Sequence, residues 1–202
     1  MKLSKDFYTR EDVVGVANEL LGKILFTRIN GKITAGIITE TEAYAGVTDR
    51  ASHAFNGRRT ARTEIMYSSG GTSYVYLCYG IHHLFNVVTN EKNIPHAVLI
   101  RSIKPYEGEK IMMKRRGIVT RSSVLQKIAK GKGKNLCNGP GTVSQALGIR
   151  TIHTGISLVE KIIWIEDKGI KVKQEQILKT PRIGVAYAGV DALLPYRFTV
   201  TI

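Results

Sequence analysis

The sequence predicts one α+β domain, spanning residues 1–202, with a mainly antiparallel, curved sheet flanked by helices. Three observations carry that expectation. Along the chain the elements run helix, strands, helices, strands, without the strict strand–helix alternation of a parallel sheet. Asn30-Gly31 separates two strand-like runs and is the strongest short hairpin signal. The 202 residues, 43% of them hydrophobic, suffice for one sizeable core and show no repeat, low-complexity tract or internal boundary.

The elements follow in order. Thr9 precedes Glu11 and Asp12 in the manner of an N-cap before a first turn rich in acids. Val13, Val14, Ala17, Leu20 and Leu21 then share one helical face, and Gly22 suits the stop. Lys23 to Asn30 and Lys32 to Tyr44 read as the two hairpin strands. From Ala45 to Gly71 periodicity disappears. Strands resume at Thr72–Tyr79, Leu84–Thr89 and Ala97–Ile103, with Pro105 closing the group. Tyr106–Arg116 and Ser122–Lys130 have amphipathic helical spacing, and Gly131-Lys132-Gly133-Lys134 is a short basic link without P-loop spacing. Pro140 in the first turn and Gly148 at the end bound another helix. Ile162–Glu166, Gly184–Ala188 and Phe198–Ile202 read as late strands.

Composition narrows the function. Thirty Lys and Arg against sixteen Asp and Glu give a net charge of +14. On a folded domain that is the electrostatic footprint of a nucleic-acid partner. Ribosomal association, an anionic membrane surface or plain solubility would account for the charge as well. No run approaches the ~18 apolar residues of a membrane span, and Met1 to Asp6 lacks the apolar core of a secretion signal. Cys78 and Cys137 are the only cysteines, which suits reduced thiols and a cytoplasmic location.

The chemistry concentrates in two runs. Alternation along Ile37–Tyr44 places Glu40, Glu42 and Tyr44 on one face of a strand. Alternation along Thr72–Tyr79 does the same for Tyr74 and Tyr76, with Tyr79 just past the strand end. Acids beside aromatic rings suit a pocket that stacks a flat group near a carboxylate. They equally suit a half-buried sheet with solvated glutamates and core tyrosines. The loop 45–71 carries Arg50, His53, Arg58, Arg59 and Arg62, and its guanidinium groups suit either phosphate contacts or a solvated basic loop. Asn86, among Leu84, Phe85, Val87 and Val88, needs a partner or a task. His53, His82, His83, His96 and His153 show no metal-ligand spacing, and no cofactor is implied. A nucleophile elbow is absent, and no lysine sits in an apolar setting that would lower its pKa. What remains is a carboxylate acting as general base on water.

Glu40-Thr41-Glu42-Ala43-Tyr44, followed by Ala51-Ser52-His53, resembles the alkyladenine (3-methyladenine) DNA glycosylase family. Tyr74-Val75-Tyr76, Tyr79-Gly80, Asn86, Val98-Leu99-Ile100-Arg101 and Asn138-Gly139-Pro140 match further family motifs in the same order. The resemblance runs from Phe7 to Arg197. It implies a monofunctional glycosylase acting, as a monomer, on damaged purines in double-stranded DNA. By the same resemblance Glu42 is the general base, Tyr44, His53 and Tyr76 stack on the extruded base, and Asn86 excludes the amino group of guanine. Tyr79 is the wedge that fills the gap in the duplex, and Arg58, Thr60, Leu99 and Arg101 lie at the DNA interface. Electron-rich rings would also favour cationic alkylpurines. The competing expectation is a non-catalytic nucleic-acid-binding domain, possessing the charge and the aromatic surface but needing no Glu42.

Overall fold

In the computed structural model, residues 1–118 and 136–202 are described. The expected helix Ser122–Lys130 and the basic link Gly131–Lys134 lie outside them. The chain begins with two short helices, α1 (Lys5–Tyr8) and α2 (Val13–Glu19). Thr9 ends α1, donating its amide to Lys5 O. The N-cap of α2 is Asp12, whose carboxylate accepts from Gly15 N at 2.8 Å. The capping chemistry expected at Thr9 therefore sits three residues later.

Strands β1 (Ile24–Ile29) and β2 (Lys32–Tyr44) form the hairpin at Asn30-Gly31. Both turn residues occupy the left-handed region, with φ of 52° and 70°, which is why Asn and Gly belong there. Strands β3 (Ser73–Cys78), β4 (His82–Thr89) and β5 (His96–Glu107) follow, then β6 (Ile163–Glu166), β7 (Leu178–Thr180) and β8 (Arg197–Thr199). All eight join one antiparallel sheet in the order β3-β4-β5-β2-β1-β6, with β8 on β2 and β7 on β8.

β2 sets the curvature. Its first half pairs with β1, and its second half pairs at Glu40–Glu42 with β8. Changing neighbours in mid-strand requires the sheet to curl. Pro105 does not end β5, because the strand runs on to Glu107 along β2. The helix expected from Tyr106 therefore starts later, as α3 (Glu109–Arg115). α4 (Pro140–Leu147) has Pro140 in its first turn and Gly148 at its end with φ 76°.

Two late expectations need correction. Gly184–Ala188 is not a strand: a run of 3₁₀ turns covers Ala186–Leu193, and Gly184 and Gly189 have φ of 76° and 59°. Left-handed glycines at these positions are incompatible with an extended run. The last strand is only Arg197–Thr199. The loop 45–71 is ordered by three short 3₁₀ turns, at Gly46–Thr48, Phe55–Gly57 and Glu64–Tyr67.

The main core lies between the sheet and its helices. Leu20, Ile38, Phe85, Val98, Ile100, Met112, Val143 and Phe198 are buried in it. Alternation on β2 sends Thr41 toward this core, where its hydroxyl bonds Ala17 O of α2 at 2.8 Å. Glu40, Glu42 and Tyr44 therefore emerge on the opposite face, where Tyr44 packs against a small cluster of Ala51, Val185 and Ala188; Tyr76 packs on a neighbouring cluster formed by Ala54, Met66, Tyr67, Tyr74, Val88 and Ala97. Among the described residues no helix is long and apolar enough to cross a membrane.

Candidate active site

The β2–β5 register is interrupted twice beside the acids. Ile38 pairs with Ile103, Glu40 with Ser102 and Thr41 with Ile100. Thr39 is thus extra on β2, and Arg101 is extra on β5. Such bulges re-aim side chains next to active sites. Here they bring Arg101 between the two glutamates: its Nε donates to Glu40 Oε1 at 2.8 Å, and its Nη1 to Glu42 Oε2 at 3.3 Å. Glu42 is fully buried. Its Oε2 also accepts from the Tyr44 hydroxyl at 2.8 Å, and its Oε1 from Ile183 N at 2.8 Å. Burial first, and then Glu42, hold the Tyr44 pKa well above its usual value, so the phenol stays a donor. Burial opposes the Arg101 charge, but Glu42 and Glu40 outweigh it and raise that pKa.

Tyr44 and Arg101 line a cavity of about 370 Å³ together with His53, Arg62, Tyr74, Tyr76, Asn86 and Leu99. That volume lies within the range of small-molecule sites. His53, from the long loop, meets the Tyr76 ring edge-on with centroids 4.8 Å apart. Its Nδ1 shares a hydrogen bond with the Tyr74 hydroxyl at 2.9 Å. Burial, reinforced by Arg62 and Arg58, lowers the His53 pKa to about 4. At neutral pH the ring is uncharged, which suits packing against a flat group and not proton donation. Asn86 is buried, and its Nδ2 donates to Tyr74 O at 3.1 Å and Leu84 O at 3.3 Å. Both amide hydrogens are thereby used, and Oδ1 is the atom left for a ligand.

A second ion pair locks the wall behind Tyr44. Arg182 and Asp49 are both buried, and Nη2 donates to Asp49 Oδ1 at 2.8 Å. The guanidinium also donates to Ala43 O and Asp191 O. It lies 4.9 Å from the Tyr44 ring centroid and 5.3 Å from that of Tyr196. Asp49 in turn accepts from Ala45 N and Ala51 N, tying down the start of the long loop. Because Ile183 follows Arg182 directly, the same clamp sets the amide that binds Glu42.

The cavity opens beside the β3–β4 turn. Ile81 N bonds Cys78 O, and the two central residues, Tyr79 and Gly80, have φ of 51° and 74°. Left-handed backbone is routine for glycine but costs a bulky residue about 1–3 kcal/mol. Tyr79 is nevertheless held there, and the residue is 90% exposed. On the loop, Arg59 is committed to Glu64 at 2.7 Å and lies 4.5 Å from the Tyr67 centroid. Arg58 and Thr60 are exposed, and the Arg58 carbonyl is pinned by Thr63 Oγ1 and the Tyr67 hydroxyl. Arg62 lies 4.9 Å from the Tyr76 centroid.

The family model described as methylpurine-DNA glycosylase matches residues 6–201. The chain belongs to the methylpurine-DNA glycosylase family. It is 48% identical over 200 residues to a Chlamydia felis protein named "Putative 3-methyladenine DNA glycosylase", covering 99% of this chain and 96% of that protein. Proteins of the same name from Clostridium perfringens and Bacillus cytotoxicus are 43% and 41% identical, over 99% and 98% of this chain and 96% and 95% of theirs. The protein is therefore a DNA glycosylase, a repair hydrolase of N-glycosyl bonds.

For this glycosylase the structure brings Tyr44, His53, Tyr76 and Asn86 to one cavity, with Glu42 one hydrogen bond behind the Tyr44 and Arg101 lining. Tyr79 stands at the rim, and Arg58 and Thr60 on the exposed loop. Leu99 and Arg101, expected at the DNA interface, line the same cavity: Leu99 is buried there, and Arg101 is held between two carboxylates by Nε and Nη1. The hydrogen bond by which Tyr74 orients His53 and the Arg182–Asp49 clamp were not expected. Among the described residues no group of three or more His, Cys, Asp or Glu side chains is placed to hold a metal.

Two outcomes are expected. In NMR, the His53 imidazole titrates near pH 4 instead of near 6.5. Because the unfolded chain binds that proton first, His53 lowers stability as pH falls from 6.5 to about 4 and has no effect above 6.5. A midpoint at 6.5 or higher would contradict the buried, neutral ring. Arg182→Ala leaves Asp49 buried without its cation and lowers stability by roughly 3–5 kcal/mol in urea unfolding. A change below about 1 kcal/mol would show that the pair behaves as an exposed one.

Proposed function

We propose that the protein rotates a damaged purine out of duplex DNA into the aromatic cavity and hydrolyses its N-glycosidic bond with a water activated by Glu42. The substrates in view are 3-methyladenine, 7-methylguanine, hypoxanthine and ethenoadenine. The observation that carries this reading is the buried Glu42 carboxylate against a stacking cavity in a chain of charge +14. Burying a carboxylate is expensive and contributes little net stability even when it is well paired. A site that needs a negative charge in a low-dielectric setting justifies that cost.

The energetics are consistent. A base inside a duplex is out of reach, and extruding it costs a few kcal/mol, less when it is damaged or mispaired. Stacking on Tyr44 and on the His53–Tyr76 pair returns roughly 1–3 kcal/mol per base with little regard for base identity. Tyr79, prepaid with backbone strain at an exposed turn, fills the vacated space and bends the duplex. Arg58 and the neighbouring loop supply phosphate contacts. The cavity is complete within one chain, so a monomer suffices.

As the C1′–N bond breaks, its electron pair leaves with the purine and positive charge grows on the sugar. Glu42 stabilises that charge and accepts a proton from the water that adds to C1′. The 3.3 Å Arg101–Glu42 contact is the loosest bond in the cluster and the natural place for that water to enter. Asn86 Oδ1 repels or accepts from the purine edge and so discriminates among bases. Arg182 beneath Tyr44 and Arg62 over Tyr76 already draw on the ring quadrupoles. That weakens the extra attraction expected for cationic purines.

The decisive assay is single-turnover release of hypoxanthine or 1,N6-ethenoadenine from a duplex, wild type beside Glu42→Gln. The wild type leaves alkali-labile abasic sites, and the variant is slower by at least ~10²-fold while still binding the lesion duplex. Equal release by both proteins would remove Glu42 from the mechanism. Tight lesion binding without release by either, on neutral and on alkylated duplexes, would mean a binding protein.

A further inference from the structure

Glu40 has no part in the chemistry outlined above, yet it is 7% exposed and makes two short charged contacts. Its Oε1 accepts from Arg101 Nε at 2.8 Å and from Arg197 Nε at 2.6 Å. We propose that Glu40 is the positioning residue for Arg101: it grips the guanidinium by Nε and so aims Nη1 at Glu42 Oε2. The inference rests on the reading of Glu42 as the base.

The geometry gives the reasons. Arg101 is an extra residue on β5, without a backbone partner on β2, so the ladder does little to fix where its side chain goes. A guanidinium is a rigid planar fork, and holding Nε fixes the direction of both Nη groups. Glu40 provides that hold from the same strand face as Glu42, two residues away. The Thr39 bulge brings it level with Arg101. Arg197, which enters from β8 opposite Glu42 and also bonds Thr180 Oγ1, supplies a second cation. Two carboxylates then face two guanidinium groups, so Glu40 need not draw Arg101 away from Glu42. In this arrangement Arg101 screens Glu42 without forming a tight pair with it, which a general base requires.

The charged and titratable groups around Glu42 are Arg101 from β5, Glu40 and Tyr44 from β2, Arg197 from β8, and Arg182 and Tyr187 from the C-terminal segment. Removing the Glu40 charge leaves the cations in excess.

The test is a double-mutant cycle on Glu40 and Arg101, read by single-turnover base release and by lesion-duplex affinity. Glu40→Ala is expected to slow release by about 10²-fold, the scale of a misplaced catalytic group, with affinity unchanged within about threefold. In an Arg101→Ala background, Glu40→Ala should add almost nothing, because the two act as one unit. Glu40→Gln keeps an acceptor for Nε, so it should restore most of the rate. Additive losses, a Glu40→Gln rate as low as that of Glu40→Ala, or equal loss of rate and affinity would overturn the assignment. Should Glu40→Ala fail to fold, the Arg101 Nε–H resonance of Glu40→Gln decides. The Arg101 Nε–H resonance provides a readout that needs no activity. It is expected to be slowly exchanging in the wild type and to shift in Glu40→Gln; a fast-exchanging, unshifted signal would contradict the grip. If the wild type releases no base from any lesion, the proposed reaction fails, and this resonance still reports on Arg101.

Discussion

A carboxylate without access to solvent must be satisfied entirely by the protein, and Glu42 imposes that requirement on this fold. Its donors come from three directions: Tyr44 on its own strand, Arg101 on β5 and the Ile183 amide from the C-terminal segment. Meeting all three forces much of the local architecture. The paired bulges at Thr39 and Arg101 turn the acid and the guanidinium to the same face. The Arg182–Asp49 clamp holds the Ile183 amide in place and anchors the loop that delivers His53. Losing any one donor would leave a buried charge short of partners, a costly state in a low-dielectric setting. The cluster is thus a structural constraint as well as the proposed chemical centre.

The rest of the cavity complements that charge with uncharged surface. His53 is kept neutral by burial and by nearby arginines, Tyr44 stays protonated, and Asn86 has its amide hydrogens committed to the backbone. Positive charge is arranged differently: on the loop and at the rim it is exposed, while inside it is paired or laid against rings. Arg58 and Arg101 illustrate the division, the first exposed on the loop, the second tied to Glu40 and Glu42. This separation lets a basic protein attract a polyanion without placing a free cation where, in the proposed reaction, positive charge develops on a sugar.

Much of this was legible in the sequence because it is local. Period-two alternation placed Glu40, Glu42 and Tyr44 on one face, and Asn30-Gly31 marked its hairpin through backbone preference alone. What escaped depends on distant partners. Asp49 and Arg182 lie 133 residues apart, with nothing local to mark either. The bulge at Arg101 leaves no trace in residue type, so its contacts with two glutamates could not be read from the sequence. Gly184–Ala188 looked extended because Val185 and Ala186 are apolar. Two left-handed glycines turn the segment into 3₁₀ coils. Thr9 and Asp12 are both good caps, and only the tertiary path determines which one a helix uses.

The central claim is that a purine leaves the duplex and stacks in the cavity within reach of Glu42. A crystal structure of Glu42→Gln with an ethenoadenine or hypoxanthine duplex tests it directly. The account predicts the lesion extruded between Tyr44 and the His53–Tyr76 pair, its C1′ beside residue 42, and Tyr79 in the vacated stack. A lesion still paired within an unbent duplex, with the cavity empty and the DNA resting on another face, would contradict it.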